Sequence, residues 1–413
     1  MKNNKRALRT LMENKGVTAV LAAIMIAMLM GFAAVAIDIG YGLVTKNELQ
    51  NIADAAALAA TRQLGVIYQG MTYEEQQAYI VGSTDAATIR NAAMEVANNN
   101  RAGGKSITIN ADDIIIGVWD PSQTPDPLTP TMSHPDAVRV IARRDSISNL
   151  PITTFFANVV GTQNLNVRSK ATAALTGQCD TNPGDLELPV GISAWWFDNN
   201  ACNDSIQFNP SNAPESCAGW TSWEYKSNDA VLRKIVGEDP QFPSPGTLAG
   251  DSVFNFIGGN LSQQTFKALL SLFQVKGYDV DVNGNPILGA DGKPMHDATG
   301  TGKEVKLCEK PLETDCAVPC DDTYTTRLYY PDGTARNKHE WPTTVVVYDS
   351  DDCANPNQSI KILGFARVNM NNVCGAPYDL IKGIVECNYV DTSDHRGGCG
   401  PYGLRGPIPT LVE

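Results

Sequence analysis

The chain has 413 residues, with 32 Lys and Arg against 45 Asp and Glu, for a formal charge of -13. Hydrophobic residues make up 43% and charged residues 19%, a globular composition that argues against extended disorder. The missing basic surplus argues against a nucleic-acid partner, because such binding rests on neutralising phosphates with Lys and Arg.

The first predicted element is a membrane span. Residues 17–37, VTAVLAAIMIAMLMGFAAVAI, carry no charge and as a helix reach about 32 Å, enough to cross a bilayer's hydrocarbon core. Lys2, Lys5, Arg6, Arg9 and Lys15 precede it against a lone Glu13, a flank of the kind kept in the cytoplasm. The expectation is an uncleaved single-pass anchor in the inner membrane, with residues 1–16 cytoplasmic and everything after residue 37 exported. A cleaved signal and prepilin-type processing after Gly16 begin with a similar pattern. Against a cleaved signal, the apolar run exceeds the usual signal length and helical sequence continues past Asp38; against the pilin reading, Leu21 stands where a pilin carries Glu. Ala19, Ala23, Ala27 and Gly31 recur every four residues. That spacing offers a partner helix a face of close approach, although an alanine-rich span also produces it by chance.

From Lys46 to Leu64 the apolar positions Leu49, Ile52, Ala53, Ala56, Ala60 and Leu64 keep a helical period. Asn47, Asn51 and Asp54 fall on another face, which reads either as a solvated stripe or as a docking stripe for an assembly partner. A second helix is predicted from Tyr73 to about Asn99, ended by the glycine-bearing NNNRAGGK. Strands follow over 106–120 and 136–146, joined by a proline-rich loop. PITTFFANVVG (151–161) reads as a short helix beginning at a proline, and 164–175 as a returning strand. Residues 38–178 thus form a membrane-proximal α+β domain.

Asp38 with Gly40 in AIDIGYG (36–42), followed by NELQNIADAAALAATRQL (47–64), resembles the N-terminal region of TadE/TadG-like proteins of the Flp, or tight-adherence, pilus-assembly system. A looser similarity continues to NLNVRSKATAALTG (164–177). The resemblance implies a membrane-anchored, non-enzymatic structural or assembly component whose partners are the lipid bilayer and other Tad pilus-assembly proteins. Some larger relatives carry a distal von Willebrand A domain with an Asp-x-Ser-x-Ser metal site. Here Asp349 is followed by Asp351 and Cys353, so that site is not expected.

Beyond residue 178 the character changes. All ten cysteines (Cys179, Cys202, Cys217, Cys308, Cys316, Cys320, Cys353, Cys374, Cys387 and Cys399) lie in residues 179–413, which implies a disulfide framework in an oxidising compartment. Thiolate metal binding is the competing reading, but no paired CxxC is present and the four histidines are scattered. Short β-prone runs such as GISAWWF, DSVFNFIG, TTVVVYD, IKILGFARVNM and GIVECNYV surround one helix over 262–277. A disulfide-rich, mainly-β distal domain is expected, and the whole chain is α+β.

Asp279, Asp281, Asn283 and Asn285 begin like a calcium loop, yet Ala290 occupies the position where such a loop needs a bidentate Glu. Asn283-Gly284 and Asp291-Gly292 are equally strong hairpin signals. Calcium is therefore a candidate ligand of these four residues and no other cofactor is expected. No hydrolase, zinc-protease, nucleotide or dinucleotide motif occurs, so the expectation is not an enzyme. His395 reads as a surface residue of a polar loop, and the pairs Trp195/Trp196 and Trp220/Trp223 as core. Two other classes stay open: a minor pilin or secreted adhesin processed near Gly16, and a hydrolase.

Overall fold

The computed structural model describes residues 3–208, 217–259, 261–281, 285–296, 338–353, 356–374 and 380–413. The chain forms two compact units, one of Met1–Leu64, Ile80–Ala174 and Leu411–Glu413, the other of Gly65–Tyr79 and Leu175–Thr410. The stretch Gly65–Tyr79 lies inside the range 38–178 that sequence alone gives to one domain, but it packs with the second unit.

Helix α1 (Asn3–Gln69) runs without interruption for 67 residues. It contains a segment long and apolar enough to cross a membrane. Within that segment Val20, Leu21, Met25, Leu29 and Phe32 are exposed. Past Asp38 the pattern inverts: Leu49, Ile52, Ala53, Ala56, Ala57, Ala60 and Leu64 are buried. The helix ends near Gly70, and Thr72 opens α2 (Tyr73–Gln77) with a capping box in which its Oγ1 accepts from Glu75 N–H and Glu75 reaches back to Thr72 N–H. The expected single helix over 73–99 is thus two. Val81 donates its N–H to the Met132 carbonyl at 2.8 Å, an extended pairing that breaks the helix before α3 (Ser83–Asn98).

The first unit is a helix-on-sheet layer. Strands β1 (Ile114–Trp119), β2 (Leu128–Pro130) and β3 (Ala137–Arg144) are antiparallel with β1 in the middle, paired to β2 on one side and β3 on the other, and the sheet continues from β3 through β6 (Val167–Ala174) to an edge at Thr410–Leu411. Between β3 and β6, a two-residue pairing joins β4 (Ile152–Thr153) to β5 (Asn164–Leu165). The predicted helix over 151–161 is therefore a hairpin with one 3₁₀ turn at Ala157–Val160; the β-branched run Ile152-Thr153-Thr154 favours extended backbone. Likewise 106–120 is not one strand: Ser106 ends a two-residue pairing with Arg101–Ala102, and the sheet strand begins at Ile114 after a 3₁₀ turn at Ala111–Asp113. Alternation on β3 and β6 divides the two faces. Ser169 Oγ donates to the Lys46 carbonyl and Thr61 Oγ1 to the Ala173 carbonyl, fixing α1 along one side. On the other, buried Arg139 binds Thr172, Asp126 and Glu413, next to a small cluster of Leu128, Ala137 and Ala174.

The second unit is built on a closed ring. Its strands are β7 (Val190–Ser193), β8 (Ser205–Phe208), β9 (Ala218–Thr221), β10 (Val253–Ile257), β11 (Tyr278–Val280), β12 (Lys338–Tyr348), β13 (Ser359–Cys374) and β14 (Leu380–Glu386). The hydrogen-bonded order is β8-β14-β13-β10-β9-β7-β12-β11, and β12 also pairs with β13. That extra pairing closes β13, β10, β9, β7 and β12 on themselves. Phe256 of β10 and Tyr348 of β12 are not neighbours in the sheet, yet their rings sit 4.6 Å apart, so they meet across the ring's interior with Phe254, Val346, Ile360 and Ile362. The opposite faces pack Val345, Val347 and Val368 with Leu232 and Val236 of one helix and Phe266 and Leu269 of another. GISAWWF, read as β-prone, is a strand only to Ser193; Ser193 Oγ then accepts from Trp195 N–H and starts a helix over Ala194–Asn199.

Candidate functional site

Residues 38–64 make the junction between the apolar stretch of α1 and the folded unit. Asp38, the first charged residue after the apolar run, is buried. Its Oδ1 accepts from Phe155 N–H at 2.8 Å and its Oδ2 from Phe156 N–H at 2.9 Å and Ala157 N–H at 2.6 Å. Burial works to raise its pKa, but these three backbone donors outweigh it and hold the carboxyl below the usual value. Sequence alone marks Asp38 as a bilayer exit; the structure adds that it clamps a loop more than a hundred residues away.

One turn on, Tyr41 donates its hydroxyl to the Gly103 carbonyl at 2.9 Å, and Glu48 accepts Gly103 N–H at 2.6 Å. Gly103 has φ of 56°, a left-handed conformation that favours glycine, and a Cβ there would strike Thr45 and Arg144. Arg144 is buried and donates to the carbonyls of Ala102, Gly103 and Leu150. These cross-links join the segment of α1 just past Asp38 to the sheet unit. For Asp38 the available signal is a lone charge after an apolar run, where a buried charge needs partners; Glu48 and Arg144 stand among polar and charged neighbours and carry no such mark.

The small-residue helix face is occupied from within the same unit. Ala53, Ala56, Ala57 and Ala60 are fully buried, so alanine's purpose over 53–60 is close approach of the helix to its own domain. Asn47 and Asn51 are exposed, and Asp54 accepts from Gln50 Nε2 at 2.7 Å. Ala19, Ala23, Ala27 and Gly31 lie on the exposed membrane-length segment.

In the second unit a cavity of about 340 Å³ lies between the α2 region and β12, β13 and β14, lined by Tyr73, Tyr278, Glu340, Arg367, Glu386 and Tyr389 among others. Arg367 donates Nε–H to Glu386 at 2.6 Å and lies 3.9 Å over the Tyr389 ring. Burial raises the Glu386 carboxyl above its ordinary value and pushes Tyr278 up to about 12. The cavity is thus a polar-aromatic pocket whose central cation already has its own partners. Arg367 and Glu386 each interrupt an apolar strand in the sequence, which was the available signal.

Asp279 and Asp281 sit in a hairpin. Asp279 Oδ1 pairs with His339 Nδ1 at 2.9 Å, while Asp281 Oδ1 accepts from Asn285 N–H at 3.0 Å; Val280 bridges Pro286 and Leu288 bridges Pro294. Asn283 lies outside the described residues. Among the described residues no group of three or more His, Cys, Asp or Glu is arranged to hold a metal ion.

His395 corrects the surface reading. It is buried, with Asp185 at 3.2 Å, Asp391 at 3.4 Å and Asp180 at 3.6 Å. Trp196, Trp220 and Trp223 are buried and Trp195 packs at the core's edge, as core tryptophans do.

Among the described residues three disulfides join Cys179 to Cys399, Cys202 to Cys387 and Cys217 to Cys353. Cys353 is thereby taken up at the last position of the von Willebrand-like string. Cys308, Cys316 and Cys320 lie outside the described residues, and Cys374 closes strand β13.

Comparison with known proteins gives two adjoining matches. Residues 16–63 match the family described as "Putative Flp pilus-assembly TadE/G-like", and residues 69–173 match "Putative Tad-like Flp pilus-assembly". No curated protein and no solved structure matches the chain.

Proposed function

Taking residues 16–173 as a TadE/TadG-like region of a pilus-assembly protein, we propose that the chain is a non-enzymatic, single-pass component of the Flp/Tad machinery. It stays in the inner membrane with a short cytoplasmic N-terminus, and both folded units are exported. The observation that carries this reading is the junction: one unbroken helix passes from an exposed apolar span into a buried alanine-rich segment, and Asp38, Tyr41 and Glu48 bind the sheet unit directly to it.

The mechanism is mechanical. The helix fixes the first unit at the membrane surface, and the disulfide-bearing second unit supplies a surface for other Tad proteins or for attachment. An oxidising compartment outside the cytoplasm agrees with three disulfides. The exposed Asn47 and Asn51 are the docking residues offered by the helix itself. A strain lacking the gene, complemented with wild type or with a version lacking residues 179–413, tests the reading by electron microscopy of surface pili. Loss of pili without the gene and recovery only with the full chain is expected; normal pili in the deletion strain would sink it.

A further inference from the structure

The loop that Asp38 clamps carries two exposed aromatic side chains. Phe155 is 65% and Phe156 44% exposed, values large enough to need an explanation in a loop held by three hydrogen bonds. Their height relative to the bilayer is set by covalent and hydrogen-bond geometry. Asp38 directly follows the uncharged run 17–37, and the backbone nitrogens of Phe155 and Phe156 lie 2.8 and 2.9 Å from its carboxylate. The ring of Phe155 meets that of Tyr41 edge-on at 5.7 Å, and Leu165 occupies the space a side chain on Gly42 would need. From Asp38 to Gly42 a helix rises only about 6 Å, similar to the thickness of the interfacial layer on each side of a bilayer, roughly 5–8 Å.

Sequence supplies an independent observation. From Ser146 to Val167 there is no Asp, Glu, Lys, Arg or His, while Arg143, Arg144 and Asp145 stand just before the run and Arg168 and Lys170 just after it. A surface hairpin of a strongly acidic protein facing only water has no reason to exclude charge over its whole length. One seated among lipid headgroups does, with aromatic rings at the boundary.

We propose that the hairpin loop Thr154–Gln163 is a second membrane contact, with Phe155 and Phe156 lying in the lipid interface beside the exit of the helix. Asp38 is then a positioning residue: its carboxylate turns three backbone donors away from lipid, satisfies them, and presents the two rings to the bilayer. Two attachment points, helix and loop, restrict the tilt of the first unit, which a single helix leaves free.

The proposal rests on the helix being an intact anchor, and the test separates the two. The photoreactive residue p-benzoylphenylalanine is placed in the full chain, one site at a time, at Phe32 in the span, at Phe155, at Phe156, and at exposed Ala55, about 25 Å further along the helix from Asp38. The protein is reconstituted in vesicles of phosphatidylethanolamine and phosphatidylglycerol and irradiated, and lipid adducts are measured by mass spectrometry. Adducts at Phe155 and Phe156 at least ten times those at Ala55, together with adducts at Phe32, are expected. Adducts at Phe32 with only the Ala55 background at both loop sites would overturn the proposal and leave the anchor standing. No adduct at Phe32 would overturn the anchor and the loop contact together.

Discussion

The two units solve the same problem with opposite means. The first has no cysteine, one main five-stranded sheet, and a helix face reduced to alanine so that backbone and sheet approach closely; charged groups then tie the layers through Arg139, Arg144 and Asp38. The second has larger apolar side chains and a closed strand ring, yet much of its chain lies in turns and short strands, and disulfides span 136, 185 and 220 residues of it. Close packing suits the unit continuous with the long apolar helix, because the helix already restricts the chain. Covalent closure suits the unit whose pairings, such as β7 with β12, join residues more than a hundred positions apart.

Reduction should separate the units most strongly. In the chain-entropy account, a cross-link closing a loop of more than 100 residues stabilises by on the order of 5 kcal/mol. Hydrogen exchange after reduction is expected to show loss of protection across β7, β10, β12 and β13, with residues 49–64 and β3 unchanged. Equal loss in both units would break the comparison.

Overpacking should act in the reverse sense. Ala56→Leu puts a branched side chain into a position with no exposed surface, and such insertions cost about 1–3 kcal/mol. Thermal unfolding followed by hydrogen exchange should show the cost in the first unit alone, whereas an unchanged first unit would mean that the helix is not packed as closely as the alanines indicate.

Acid should also distinguish them. Asp126 is held at about 2, chiefly by the hydrogen bond from Arg139. A carboxyl depressed in the folded state contributes stability that is complete above its unfolded value near 3.8 and is lost as pH falls through that value toward 2. Glu413 acts in the same direction, since Lys170 and Arg139 outweigh the burial that would raise it. In the second unit burial raises Glu386 and Asp391, so their contribution improves as pH falls. Each unit also holds a carboxyl of the opposite sense: burial raises Asp113 in the first, and in the second the burial of Asp229 is outweighed by hydrogen bonds from Ser262 and Thr265, which lower it. Pepsin digestion between pH 4 and pH 2 should therefore cut the first unit earlier; prior cutting of the second would contradict these assignments.

The smallest stability effect is expected at the exposed stripe. Asn47→Ala with Asn51→Ala should change unfolding by less than about 0.5 kcal/mol. Fewer pili from such a stable variant would assign the stripe to a partner, and normal piliation would make it solvent-facing surface.

Much of this architecture is legible in the sequence because local rules decide it. The uncharged span, the helical period from Leu49 to Leu64, the strand 137–144, the helix 263–276 and the crowding of cysteines all follow from period, charge and composition. What is not legible depends on distant partners. The 151–161 segment looked like a proline-led helix, but β-branched residues and the carboxylate of Asp38 make it a hairpin loop. His395 sits in a polar, glycine-rich string with Asp391 beside it, and the return of residues 180–185 adds Asp180 and Asp185 around it. Asp38 shows both limits: its position after an apolar run was plain, whereas its three donors come from residues 155–157.

The most direct test of the central claim is the N-terminus and location of the mature protein. Membranes are washed with alkaline carbonate, and the retained protein is analysed by intact mass and N-terminal sequencing. The account predicts a membrane-retained chain that still contains the residues before Gly16. A chain beginning at Val17, or one released into the wash, would contradict it.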